Sequence, residues 1–180
     1  MCRHRRRVRN RSGLIKDKKA EPKRLKKDDN MVFNEVKGNL FNEPTSSLLV
    51  HCISADFALG AGIAKDFASM DVRRQLISSG NWYKWDGNGY CIITGSMRNN
   101  VKSWDVANLV TKQYFYNKPT YDTLRQSLEH LRLICNERHY IQIAMPTIGC
   151  GLDRLEWNKV REIIKGVFKD APVIITVHLR

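Results

Sequence analysis

Apolar residues recur along the chain in two rhythms, and the switch between them predicts its elements. Residues 31–36 alternate weakly, with Met31 and Phe33 on one phase and Val32 and Val36 on the other, which predicts a strand at or near a sheet edge. Residues 48–53 are nearly continuously apolar, as in a central strand covered on both faces, interrupted only by His51, which reads as a hydrogen-bonded structural histidine. Residues 90–94 and 106–111 read as two further strands joined by a polar loop over 95–105. Ile141, Ile143 and Met145 alternate into another, and 173–177 closes the chain as the last. Between them the period changes. A helix begins near Ile63, a short one lies within 71–80 with Val72, Leu76 and Ile77 at helical spacing, and a long one follows Thr120 as N-cap with Leu124, Leu128, Leu131, Leu133 and Ile134. Val160, Ile163, Ile164, Val167 and Phe168 stripe a fourth that starts near Trp157. Alternating strands and helices predict an α/β fold, a three-layer α/β/α sandwich around a largely buried mixed sheet.

Charge adds a boundary to this picture. Residues 1–30 hold 13 Lys and Arg against 4 Asp and Glu, nine of the net +13, and they lack the apolar residues that would bury a core. A disordered basic tail over 1–30 and one domain over 31–180 are expected. Such a tail suits nuclear or nucleolar targeting, with a cytoplasmic share, or a weak contact with nucleic-acid phosphates. Nothing apolar enough to form a signal sequence or a membrane span is present, so no membrane partner is expected. Five widely spaced cysteines, Cys2, Cys52, Cys91, Cys135 and Cys150, fit reduced thiols better than a disulfide framework or a metal site.

Candidate chemistry gathers at two glycine-bearing turns. Residues 144–155 run from a buried strand through Gly149 and Gly151 toward a helix, the position where open α/β sheets bind ligands. Asp153 hangs at its rim, either at work beside a ligand or simply paired with Arg154. Residues 54–67 repeat the arrangement: strand, polar loop, Gly60-Ala61-Gly62 and a helix whose positive end suits an anion. Lys65 stands too close to Gly60 for a P-loop, and no third glycine completes a dinucleotide fingerprint. The cluster Trp82-Tyr83-Lys84-Trp85 reads as packing or as a base-stacking patch. Lys112, just after a strand, reads alone as a solvated end.

Together these motifs resemble the macrodomain family. The resemblance rests on 51–56 with Gly60-Ala61-Gly62-Ile63-Ala64, on Leu109-Val110-Thr111-Lys112 ahead of Lys118-Pro119-Thr120-Tyr121, and on 145–155, and it spans residue 31 to the C-terminus. It is strongest toward the branch of terminal ADP-ribose protein glycohydrolase, also described as O-acetyl-ADP-ribose deacetylase. The resemblance implies an ADP-ribose pocket in which Ser54, Asp56, Gly60, Ala61, Gly62 and Ile63 face Thr147, Ile148, Gly149, Cys150, Gly151 and Leu152 across the diphosphate and distal ribose. Asn39, beside Leu40, stands where the family usually has an aspartate that accepts from adenine; its amide oxygen can accept the same bond without the charge. His178 falls where relatives offer a ring near adenine.

The same resemblance makes Lys112 the nucleophile toward the anomeric carbon of the distal ribose and Asp153 the acid and base. Chemically, the amine attacks only when deprotonated, which requires its pKa to drop well below the free value of about 10.4. The implied activity is hydrolysis of ADP-ribose from acidic side chains of modified proteins, or deacylation of O-acyl-ADP-ribose. No cofactor or metal is implied, the partners are ADP-ribose and ADP-ribosylated proteins, and a monomer is expected. Two other readings are an ADP-ribose-binding reader without turnover and a nucleic-acid binder acting through the basic tail.

Overall fold

Strand β2 (Leu48–Ser54) lies at the heart of the sheet, and its alternation explains the layers on either side. Leu48 and Val50 point into one core while Leu49 and Ile53 point into the other, so both faces must be covered. The computed structural model describes residues 30–179. The tail expected over 1–30 therefore lies, apart from Asn30, outside the described residues.

Around β2 the sheet has six strands in the order β1-β6-β5-β2-β4-β3, with β1 (Val32–Lys37), β3 (Tyr90–Arg98), β4 (Val101–Lys112), β5 (Gln142–Pro146) and β6 (Ile174–Leu179). All neighbours run parallel except β3 and β4, so the sheet is mixed, as expected. Helices α3 (Tyr121–Arg138) and α4 (Trp157–Phe168) cover one face through Leu124, Leu128, Leu131, Val160, Ile164 and Phe168. Helices α1 (Gly62–Ser69) and α2 (Val72–Ser78) cover the other through Phe67, Val72 and Leu76, with Leu40 of a short 3-10 turn, Leu40–Asn42. Thr120 caps α3 as predicted: its hydroxyl accepts from the Thr123 N–H at 3.0 Å, and the Thr123 hydroxyl accepts from the Thr120 N–H at 3.1 Å.

Three expectations fail. Ile77 of α2 and Leu133 of α3, read as positions of the apolar stripes, are exposed, at 41% and 66%. The polar loop over 95–105 is instead the body of a hairpin, because β3 and β4 continue to a two-residue turn at Asn99 and Asn100. Both asparagines have positive φ, 51° and 60°, the conformation that matches a tight turn to the twist of its strands. Trp104, buried within the extension, donates its indole N–H to the Glu43 carbonyl at 3.1 Å and anchors it.

His51 is structural, as its sequence context suggests. It is fully buried, its Nε2 lies 2.6 Å from Asn108 Oδ1, and its ring packs 4.1 Å from that of Phe67. Asn108 in turn donates to the Ile92 carbonyl and the Thr94 hydroxyl. Burial pulls the imidazole pKa down to about 4, against a smaller opposing effect of the Asn108 bond. The native state therefore keeps the ring neutral where the unfolded chain, near 6.5, already binds a proton. Stability is expected to fall as pH drops from 6.5 toward 4, by up to about 3 kcal/mol from this residue. Urea unfolding across that window, with His51→Gln beside the wild type, checks it; equal slopes for both proteins would exclude the histidine as the cause.

Candidate functional site

Parallel strands β5, β2 and β4 are neighbours, so the loops that leave their carboxyl ends stand side by side. They enclose a cavity of about 710 Å³, within the range of small-molecule sites.

The loop after β2 is held by its own side chains. Asp56 Oδ1 accepts from the Ser54 hydroxyl and the Ala58 N–H, while Oδ2 accepts from the Phe115 N–H at 3.0 Å, tying this loop to the one after β4. Phe57 and Leu59 adopt positive φ, 48° and 45°, a conformation costly for bulky residues; both are buried, and that packing holds the turn. Their inward direction leaves Gly60, Ala61, Gly62 and Ile63 along the cavity wall. Ala61 precedes α1 without a side-chain cap, so the helix presents uncapped first-turn N–H groups there.

The loop after β5 forms the opposite wall. Gly149 has φ +70°, so its backbone conformation selects glycine; a Cβ there would also come within 2.9 Å of Leu155 Cδ1, to which the leucine side chain would have to yield. Ile148 and Cys150 spend their N–H groups inside the turn, on the Pro146 and Thr147 carbonyls. Among the described residues Gly151 and Leu152 have no acceptor for theirs, which leaves these donors to a ligand.

Lys112 ends β4, where the Ala55 N–H donates to its carbonyl at 2.9 Å. Its ammonium Nζ lies 2.5 Å from Asp153 Oδ1, and both side chains are largely buried, at 12% and 15% exposure. The pairing of Asp153 with Arg154 does not form; the carboxylate faces Lys112 across the cavity floor. Lys118 spans the rim, donating to the Leu152 carbonyl at 2.6 Å. The two thiols in the wall, Cys52 and Cys150, offer no competing nucleophile. Burial pushes the Cys150 pKa up to about 11, and burial followed by the nearby Asp153 charge pushes Cys52 further up still.

Of the residues the sequence singled out, Ser54, Gly60, Ala61, Gly62, Ile63, Lys112, Thr147, Ile148, Gly149, Cys150, Gly151, Leu152 and Asp153 all line this cavity. Four do not. Asn39 caps the 3-10 turn, its amide oxygen accepting from the Phe41 N–H at 2.9 Å. Leu40 is core. Asp56 is spent on the loop bonds just described. His178 is buried, with Nε2 2.7 Å from Glu43 Oε1, and is not part of the cavity lining. Phe115 and Lys118 line the cavity without having been singled out for it. Three successive aromatic residues, Tyr114 to Tyr116, between a strand and a helix cap were the available signal for Phe115.

No family model matches the chain. Over 148 residues it is 38% identical to ADP-ribose glycohydrolase OARD1 of Bos taurus, a match covering 79% of this chain and 88% of that protein. The Homo sapiens protein of the same name is 36% identical over the same shares. In fold the chain is similar to the macrodomain of Mycobacterium tuberculosis DarG, with TM-score 0.69 and 18% identity over 82% of this chain and 97% of that one. It is likewise similar to Thermosipho africanus DarTG in complex with ADP-ribose, with TM-score 0.67 and 17% identity over 87% of this chain and 43% of that one.

Proposed function

We propose that this chain, which belongs to the macrodomain family of ADP-ribose glycohydrolases, releases ADP-ribose from ester linkages to acidic side chains of modified proteins and deacylates O-acyl-ADP-ribose. The observation that carries the reading is the Lys112–Asp153 contact on the floor of a cavity walled by two backbone turns. The uncapped N-terminus of α1 and the donors at Gly151 and Leu152 suit a diphosphate from opposite sides. A diphosphate held there brings the distal ribose toward Lys112.

In the proposed reaction Lys112 gives a proton to Asp153 along their contact, and the neutral amine attacks the anomeric carbon. The new N–C bond forms as the bond from the anomeric carbon to the acyl oxygen breaks, and Asp153 passes its proton to that departing oxygen, so the acid leaves and Asp153 is again a carboxylate. Water then attacks the anomeric carbon of the adduct, Asp153 takes the water's proton as the N–C bond breaks, and it returns that proton to the freed lysine amine as ADP-ribose leaves. An acyl oxygen departs readily as carboxylate, whereas an arginine nitrogen or a serine alkoxide does not, so the mechanism favours acyl linkages. The 1–30 tail, outside the chemistry, is proposed to serve nuclear targeting.

A panel of linkages tests the substrate class. ADP-ribose release is expected from glutamate- and aspartate-linked protein and acetate release from O-acetyl-ADP-ribose, with arginine- and serine-linked protein spared. Asp153→Asn is expected to keep ADP-ribose binding within a few-fold while turnover falls by about 10² or more. Absence of release from every acyl linkage, with ADP-ribose still bound, would instead mark a reader.

A further inference from the structure

We infer that an aromatic shelf beside the cavity mouth is a docking surface for single-stranded nucleic acid. Two segments distant in sequence build it. Trp82 and Tyr83 lie 4.8 Å apart by ring centroid, Tyr83 reaches Tyr114 at 6.3 Å, and Tyr114 stacks on Tyr116 at 5.4 Å with an 11° interplanar angle. Phe115 meets Tyr116 edge-on at 5.3 Å and continues the surface into the cavity wall. Trp82, Tyr83, Phe115 and Tyr116 are each more than half exposed. None of the five rings joins either hydrophobic core; they pack on one another.

The arrangement is held in place. The Trp82 indole donates to the Asp56 carbonyl at 3.2 Å, the Phe115 N–H donates to the Asp56 carboxylate, and the Tyr83 N–H donates to the Ala55 carbonyl at 3.1 Å. One short loop thus pins both segments.

Exposed rings fixed by backbone contacts suit flat, apolar faces that also carry charge. Nucleobases present a π-face whatever their identity, and they stack on such platforms without sequence preference. Charge supports the same occupant: Lys84 directly follows Tyr83 in the chain, Lys118 stands at the cavity rim, and residues 31–180 keep a net +4 of the total +13. A polyanion with stackable bases satisfies both features, whereas an acidic peptide satisfies only the second. The surface does not depend on the hydrolytic reading, since an unmodified strand is the ligand.

The test is fluorescence anisotropy of the full chain with an unmodified, labelled 12-nucleotide single strand at fixed salt. Tyr83→Ala/Tyr116→Ala is expected to weaken binding by about tenfold or more, and Tyr83→Phe/Tyr116→Phe to retain it. An abasic strand of the same length is expected to bind the wild type as weakly as the alanine variant binds the normal strand. Equal binding of normal and abasic strands, or an unaffected alanine variant, overturns the proposal and leaves charge alone. Polyglutamate of matched charge binding as tightly as the strand, and losing as much with the alanine variant, overturns it in favour of a protein partner.

Discussion

Lys112→Ala is expected to lower ADP-ribose release from acyl-linked protein by about 10³ or more, with ADP-ribose affinity changed only a few-fold. Among the described residues the lysine is the one amine whose tip sits against Asp153 on the cavity floor, and the wall thiols are held protonated by burial. Removing it also strips the nearly buried Asp153 of its partner, which by itself can unsettle the loop. Lys112→Arg separates the two effects. A guanidinium can keep the ion pair but stays protonated, so it preserves the electrostatics and cannot attack carbon. Single-turnover release by the wild type and both variants, with thermal midpoints alongside, is the measurement. Arginine restoring near-wild-type release would show that charge rather than nucleophilicity is required; alanine releasing at the wild-type rate would remove the lysine from the reaction.

Gly89→Ala is expected to cost the fold about 3 kcal/mol or more, lowering the thermal midpoint by roughly 10 °C. A Cβ at this position would lie 1.8 Å from the Thr123 carbonyl oxygen and 3.1 Å from the Ser127 N–H, so the first turns of α3 rest directly on the glycine. These neighbours are backbone, and no rotamer change relieves them. The Gly89 N–H also donates to the Gln126 side chain at 2.8 Å, locking strand entry to helix. Gly166→Ala supplies the contrast: it sits inside α4 with nothing near the added methyl, and a gain of up to about 1 kcal/mol is expected there. Denaturant unfolding of both variants reads the difference, and similar small effects at the two positions would contradict the packing described for Gly89.

What the sequence discloses and what it hides divide along physical lines. Strands β2 and β6 and helices α3 and α4 are legible because burial on one or two faces imposes a period on their residues. The two glycine turns are legible because only glycine tolerates what happens at a position such as Gly149. The β3–β4 hairpin is hidden: its outer half is polar, and the Asn99-Asn100 turn lacks the glycine that usually announces one. Asn39 and His178 lie outside the cavity lining. The resemblance places them at the adenine end, while in the structure each makes a local bond, to Phe41 and Glu43, that a linear reading does not display. Asp56 is similar, a polar loop residue whose acceptors are consumed within the protein.

The amine and the acid of this site are mounted differently. Lys112 terminates a twelve-residue strand flanked on both sides by others, while Asp153 and Lys118 belong to loops. Rim loops can therefore vary in length and chemistry, and with them the substrates of the proposed reaction, without dislodging the Lys112 amine. Directed evolution of new linkage preferences should accordingly accumulate its changes in the loops and leave the strand terminus untouched.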